Sequence, residues 1–407
     1  LAECPARGSQ ARAGPEARSA GARVRNRLCS VELNGKQWAA AERMARDFLR
    51  IHPEDRREGE MRFSLALAMA RGGKVQEAEK ALTELIEDHG GARVDRVWYE
   101  LAWTRRKLGK EEPALAAFRK VAETSKDPAL RGESRLHLAE SLLASGKTGQ
   151  AEKELARVEG AYRSRALYRL GFSQFEHKQY RKALSSFAAL EKVRERDRYT
   201  AASPFLQAEC HYELGELEAA AGLYRSYLAA KLPDGKSDGL QEHAGRAHYH
   251  LGHCELEQGQ YVRSAELLRT WIGGTGGKAS KVDQAQAWLW LGRAEKGRSR
   301  AEASEKAFQR ATRLSEGVIA AEAWYRIGEL RRDQSKLEGA IEAFLRLSIL
   351  FDESTWVSKA LLEAGLCFEG LKKPAKAQKL YRELLDRYPG TESAKAAKPR
   401  LETKRKL

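Results

Sequence analysis

Residues 98–118 read WYELAWTRRKLGKEEPALAAF, and residues 324–344 read WYRIGELRRDQSKLEGAIEAF. Each opens on Trp-Tyr and has a small residue four positions after the Trp, Ala102 or Gly328. A second small residue, Ala114 or Ala340, stands twelve further on, and each stretch closes on Phe118 or Phe344. This spacing predicts two helices folded back on each other. A small side chain on each helix lets the backbones approach, and the aromatic one turn later fills the space beside the contact. Leu108-Gly109-Lys110 lies midway as a turn signal.

The same grid runs through the chain. The first small series is Cys29, Ala66, Ala102, Ala139, Gly171, Ala208, Gly252, Gly292, Gly328 and Gly365. Twelve residues after each stand Ala41, Ala78, Ala114, Ala151, Ala183, Ala220, Ser264, Ser304, Ala340 and Ala377. Successive units are 32 to 44 residues apart, yet the internal offset never changes. Such periodicity marks a stacked repeat array. Two longer steps carry Lys231–Gln241 and Gly273–Lys281, which read as surface loops. The second is Gly-rich but has neither the order of a phosphate loop nor a strand ahead of it. Pro113, Pro204 and Pro374 are placed in first turns. Pro399 is expected to stop a last helix after about Lys398.

Composition agrees with helices. Val and Ile total 19 of 407 residues, too few for a large sheet. The net charge of +16 suggests an acidic partner if it is gathered on one face. It is not: residues 1–30 carry +4, residues 371–407 carry +8, and the 340 between carry +4. No apolar run approaches the ~18 residues of a membrane helix.

The motif W…L-G…A…F in these units resembles the tetratricopeptide repeat (TPR). The resemblance implies an all-α, right-handed superhelical TPR solenoid of about ten helix-turn-helix repeats over residues 22–391. A basic, disordered segment is expected at 1–21, and a short helix with a basic tail at 392–407. The stretch 380–397, LYRELLDRYPGTESAKAA, looks like bacterial envelope TPR proteins of the Tol-Pal-associated and outer-membrane assembly lipoprotein types. That likeness implies a periplasmic or envelope location, with the cytoplasm as the alternative.

Little in the chain reads as chemistry. Cys210, Cys254 and Cys367 recur two residues after the first series, which marks a packing slot for a small hydrophobe rather than disulfides. Cys4 follows Leu1-Ala2-Glu3, where Glu3 is wrong for a lipoprotein cleavage site. His250 lies at helical spacing from His253 and Cys254, but no four-ligand set is complete, and no metal or cofactor is expected. His248 takes the slot held elsewhere by Trp288 and Trp324, so it is assigned to the hairpin core, with His250 on another face. Hydrolase, metalloprotease and nucleotide-binding motifs are missing, so catalysis is not expected.

The TPR resemblance implies that first helices line an inner groove. The groove residues are then Phe63, Arg96, Tyr99, Trp103, Arg106, Tyr168, Phe172, Phe175, Phe205, Glu209, Tyr212, Tyr249, His253 and Tyr325. Aromatic side chains of this kind anchor protein interfaces. About half of the column three residues before the small series is expected to serve packing. Only Asn26 and Asn34 are asparagines, so neither an asparagine ladder nor an Asn-based carboxylate clamp fits. The leading expectation is a noncatalytic scaffold that binds a protein or peptide. Alternatives are a nucleic-acid or anionic-surface binder using the basic ends, and a TPR region of a longer chain, since residue 1 is Leu.

Overall fold

The computed structural model describes residues 15–88, 94–194, 197–230 and 241–402. Among them the regular elements are 21 α-helices and two short 3-10 turns. They form two compact bodies that divide after His177.

The N-terminal body holds α1 (Pro15–Asn34), α2 (Trp38–Ile51), α3 (Glu58–Arg71), α4 (Val75–Asp88), α5 (Val94–Lys107), α6 (Glu111–Thr124), α7 (Pro128–Ala144), α8 (Thr148–Ala156) and α9 (Arg163–Glu176). The C-terminal body holds α10 (Tyr180–Glu191), α11 (Arg198–Glu213), α12 (Leu217–Ala229), α13 (Gln241–Glu257), α14 (Tyr261–Gly273), α15 (Lys281–Gly297), α16 (Ala301–Leu314), α17 (Val318–Asp333), α18 (Leu337–Leu350), α19 (Ser354–Gly370), α20 (Pro374–Arg387) and α21 (Glu392–Glu402). Odd-numbered helices through α19 carry the first small series and even-numbered ones through α20 the second, and within each body the expected helical hairpins are present in register. Successive first helices also meet within each body: α1 through α7 and α11 through α19 in turn, with α9 tied to α7 by the Arg165–Glu140 ion pair.

The twelve-residue offset has a direct cause. Ser264 Oγ donates to the Gly252 carbonyl at 2.7 Å, and Ser304 Oγ to the Gly292 carbonyl at 2.8 Å. The paired small residues therefore touch backbone to side chain. A Cβ added at Gly292 would lie 2.4 Å from the Phe308 ring, and one at Gly328 would lie 2.4 Å from Phe344. Phe118, Phe187, Phe308, Phe344, Tyr224 and Tyr381 are fully buried at this position. Each such ring contributes roughly 2–3 kcal/mol by burial.

The turn is as regular as the contact. Seven residues after the first series, φ is positive in every repeat: at Gly73, Gly109, Gly146, Gly215 and Gly259, and at Lys36, Lys178, Ser299, Ser335 and Lys372. One left-handed residue reverses the chain between the helices. Glycine takes this conformation freely, whereas an L side chain costs about 1–2 kcal/mol there.

Several sequence expectations change in the structure. Residues 15–21 belong to α1, so the expected disordered segment is helical from Pro15 onward, while 1–14 lie outside the described residues. The loop at 231–240 also lies outside them; that at 273–281 contains the 3-10 turn Thr275–Lys278. Pro204 sits in the second turn of α11, not the first. Pro399 does not stop α21, which runs through it to Glu402. Pro399 and Lys395, the residue whose carbonyl it leaves unpaired, are both exposed, so water can take that carbonyl.

Two substitutions test these constraints. Gly292→Val should drive a side chain into Phe308 and cost about 2–3 kcal/mol in denaturant unfolding. Ser335→Gly should raise stability by several tenths of a kcal/mol or more, because it removes left-handed strain.

Candidate functional site

Positions two residues before the first small series turn out to link successive repeats. On α7, His137 packs against the preceding first helix, α5. Its ring lies edge-on to Trp103, with centroids 4.7 Å apart, and Arg106 Nη1 lies 3.4 Å from its Nδ1. The Arg106 guanidinium is also 5.6 Å from the Trp103 ring centroid, within cation–π range. Tyr99 completes the cluster edge-on to Trp103 and Phe118. Glu140, beside this cluster, accepts from Arg165 at 2.5 Å. The His137 hydrogen bond, with the Arg165 charge, lowers its carboxyl to about 2 despite partial burial. On α9, Tyr168 stacks on Phe172, and Phe172 is 39% exposed.

The C-terminal body repeats the plan with different chemistry. His250 on α13 is buried against α11 and stacks on Tyr212, with centroids 4.2 Å apart. Its Nδ1 donates to Glu209 at 2.9 Å. Glu209, also buried, accepts from the Tyr224 hydroxyl at 2.5 Å and pairs with Arg246 at 2.6 Å. Burial would raise the Glu209 carboxyl, but the His250 bond, the His250 and Arg246 charges and the Tyr224 bond hold it below the ordinary value. One repeat on, Trp290 of α15 stacks on His253 at 4.2 Å. His253 Nε2 faces Glu257 at 3.5 Å, which leaves Nδ1 to accept from the Tyr212 hydroxyl at 2.8 Å. Burial lowers the His253 pKa, and Glu257 opposes the shift. Arg332 of α17 pairs with Glu363 of α19 in the same manner.

The expected groove residues fall into three groups. Tyr99, Trp103 and Arg106 come together, as do Glu209, Tyr212, Tyr249 and His253. Phe205 and Tyr325 are buried and serve as packing: Phe205 stacks on His243, and Tyr325 packs on Phe344 and Trp356. Tyr249 wedges between Trp271 and Trp290, and Phe63 packs beside Leu82 and Leu101. Phe175 is half-buried, and Arg96 is exposed at the start of α5. His248 is only half-buried, whereas His250 is the buried one, because Tyr212 and Glu209 of the previous repeat cover it. Sequence reading missed His137, His250, Trp290 and Arg246 as members of these clusters. Their signal is a relation between repeats, with position −2 of one, or −6 for Arg246, against +1 and +4 of the one before. Among the described residues, no group of three or more His, Cys, Asp or Glu side chains could hold a metal ion.

Two bodies of paired helices, each linked first helix to first helix, define an α-helical hairpin-repeat protein. Tetratricopeptide repeat models match residues 63–128, 173–235, 291–350 and 359–391, more than half of the chain, and the chain belongs to that family. The match at 359–391 is to the repeat itself and selects no envelope subfamily. No functionally curated protein matches the sequence. Among solved structures, MamA 41-end from Desulfovibrio magneticus RS-1 is 17% identical, covering 47% of this chain and 96% of that one, with a TM-score of 0.38. YrrB, described as a TPR protein with an unusual peptide-binding site, is 19% identical over 52% and 97%, with a TM-score of 0.38. PilF from Pseudomonas aeruginosa is 14% identical over 58% and 96%, with a TM-score of 0.40.

The Glu209 network has a testable pH signature. Its folded carboxyl titrates below the unfolded one, so its contribution is present above the ordinary carboxylate pKa. It is lost as pH falls through the depressed folded value. Glu209→Gln should lower stability at neutral pH by about 2–4 kcal/mol, since Arg246 loses its counter-charge and the Tyr224 and His250 hydrogen bonds lose their charged acceptor. The variant should also show a flatter stability profile between neutral and acid pH in denaturant titrations.

Proposed function

We propose that the first-helix faces of the N-terminal body form a partner-binding groove, and that the chain is a noncatalytic scaffold that captures a peptide or a protein segment. The observation that carries this reading is Phe172. It is a large aromatic, 39% exposed, and stacked on Tyr168. It occupies the same repeat position as Trp103, whose ring is half-buried beside the Arg106 guanidinium. Rigid rings with apolar faces and polar neighbours supply interface anchors at low entropic cost. Glu140 holds that position in the repeat between them and is paired to Arg165, so the face alternates aromatic and ionic contacts. The finer part of the proposal is an envelope location. Its support is the resemblance of residues 380–397 alone, and cell fractionation that places the native protein in the cytoplasm would remove it.

Peptide selection tests the groove. A random peptide library displayed on phage should yield binders to the full chain. Phe172→Ala and Trp103→Ala should weaken those binders by about tenfold or more, with helical content unchanged by circular dichroism. Phe172→Ala is the cleaner variant, because its ring is exposed. Binders that hold both variants as tightly as the parent chain would sink the groove.

A further inference from the structure

The outer face of α1 presents Val24, Leu28 and Val31, which are 57%, 44% and 63% exposed. They recur at i, i+4 and i+7 and so share one face of the helix. The repeat grid says what this face is built for. These positions are five before, one before and two after the first small residue. In the third repeat they are Val97, Leu101 and Thr104, and in the ninth Ala323, Ile327 and Leu330, all buried. The equivalent residues of the other repeats are buried as well, with Leu65 half-buried. In each case the cover is the second helix of the preceding repeat. Among the described residues, the first repeat has the apolar stripe without the cover.

The opposite end of the array is finished differently. In α21, Ala394 and Ala397 are fully buried against the last repeat, while Lys395, Lys398 and Arg400 point outward and are exposed. That is the polar-outside cap a repeat array needs for solubility. The α1 face lacks this property and carries an apolar stripe flanked by charge. Arg23 and Arg27 beside it are exposed and, among the described residues, have no carboxylate partner.

Their positions have partners elsewhere in the molecule. Six residues before the small series, Arg165 pairs with Glu140 of the preceding repeat at 2.5 Å, and Arg246 pairs with Glu209 at 2.6 Å. Arg23 holds that same position. Two residues before the series, Glu100 pairs with Arg71 of the preceding repeat at 3.1 Å, with the charges reversed. Arg27 holds this one. We propose that the α1 face is a docking site for an acidic amphipathic helix of another protein. That helix would lay apolar side chains on Val24, Leu28 and Val31 and present carboxylates to Arg23 and Arg27. A second copy of this chain fits less well, because two α1 faces would bring Arg23 and Arg27 of each copy into one interface.

The test uses the full chain and a phage library of helix-forming peptides with randomised surface positions. It is selected on the parent chain and counter-selected on a Val24→Asp, Leu28→Asp, Val31→Asp variant. The three residues are exposed, so the variant should keep its helical content and melting temperature. The expected yield is helices with apolar residues at i and i+3 or i+4, flanked by Asp or Glu. They should bind the parent at least tenfold tighter than the triple variant. Arg23→Glu with Arg27→Glu should weaken them about fivefold or more, and Phe172→Ala should leave them unchanged, which separates this face from the groove. Helices without acidic enrichment, or with equal affinity for the triple variant, would overturn the proposal. So would a parent dimer in sedimentation that the triple variant dissolves, which would give the face to a second copy. Protection of Leu28 from hydroxyl-radical labelling by residues ahead of Leu1 in a longer natural polypeptide would give it to the chain itself.

Discussion

The contact between the two small residues of each hairpin is the constraint from which the other positions take their meaning. Where Ser264 reaches the Gly252 carbonyl, and Ser304 the Gly292 carbonyl, the two helices are as close as their backbones allow. The rotation of the first helix about its axis is then set. One of its sides faces its own second helix, another the second helix of the repeat before, and another the neighbouring first helices. The large residue four places on, Phe308 or Phe344, occupies the volume that a Cβ at the glycine would need. A single local contact thus assigns environments to a whole helix, and its recurrence assigns them along each body.

This explains why the fold was legible in the sequence and the candidate site only partly so. Ala102, Ala114 and Phe118 interact within some twenty residues, and their spacing is invariant because the hairpin geometry is. The contacts of His250 cross a repeat boundary, to Glu209 and Tyr212. The step between those repeats is 44 residues instead of the usual 36 or 37, and the chemistry differs at each boundary. Position −2 holds His137 against a Trp, His250 against a Glu and a Tyr, Trp290 against a His, and Glu363 against an Arg. No pairing recurs among these four, because only complementarity to the neighbour is required. Reading each repeat alone placed His250 on a separate face and His248 in the core, and the structure reverses their burial. Phe205 and Tyr325 fall in the half of the −3 column expected to serve packing, which single repeats could not pick out for a related reason. An aromatic at position −3 is exposed or buried according to what the next repeat brings against it, as His243 and Trp356 do here.

The prolines show the same division between local and tertiary control. Pro399 disfavours helix at the residue before it by local sterics. Yet Ala394 and Ala397 bury fully, and Leu401 packs against the same core from beyond the proline. Continuing the helix is the way to place both groups on one face, and the cost falls on a carbonyl at the exposed side. Pro204 is carried in the same way by a helix whose start is fixed by a capping box between Asp197 and Thr200.

The +16 charge looked like the most informative number in the sequence, and its pairing matters more than its sum. Three residues after the first small residue, four of the repeats turn a charged side chain toward the second helix of the preceding repeat. In the third and ninth repeats it is basic: Arg105 faces Glu79 at 3.4 Å, and Arg331 pairs with Glu305 at 2.7 Å. In the seventh and eighth it is acidic and buried: Glu255 pairs with Arg225 at 3.1 Å, and Glu295 pairs with Arg269. The hairpins are alike in backbone, so shape alone would let them stack in any order. Exchanging the eighth repeat with the ninth would set Arg331 against the Arg269 side and leave Glu295 against α18, where Leu345 holds the place that Arg269 holds in α14. An uncompensated buried charge costs about 3–5 kcal/mol. The signs therefore give the third, seventh, eighth and ninth hairpins preferred neighbours, and part of the chain's excess of Arg and Glu serves repeat order rather than a ligand.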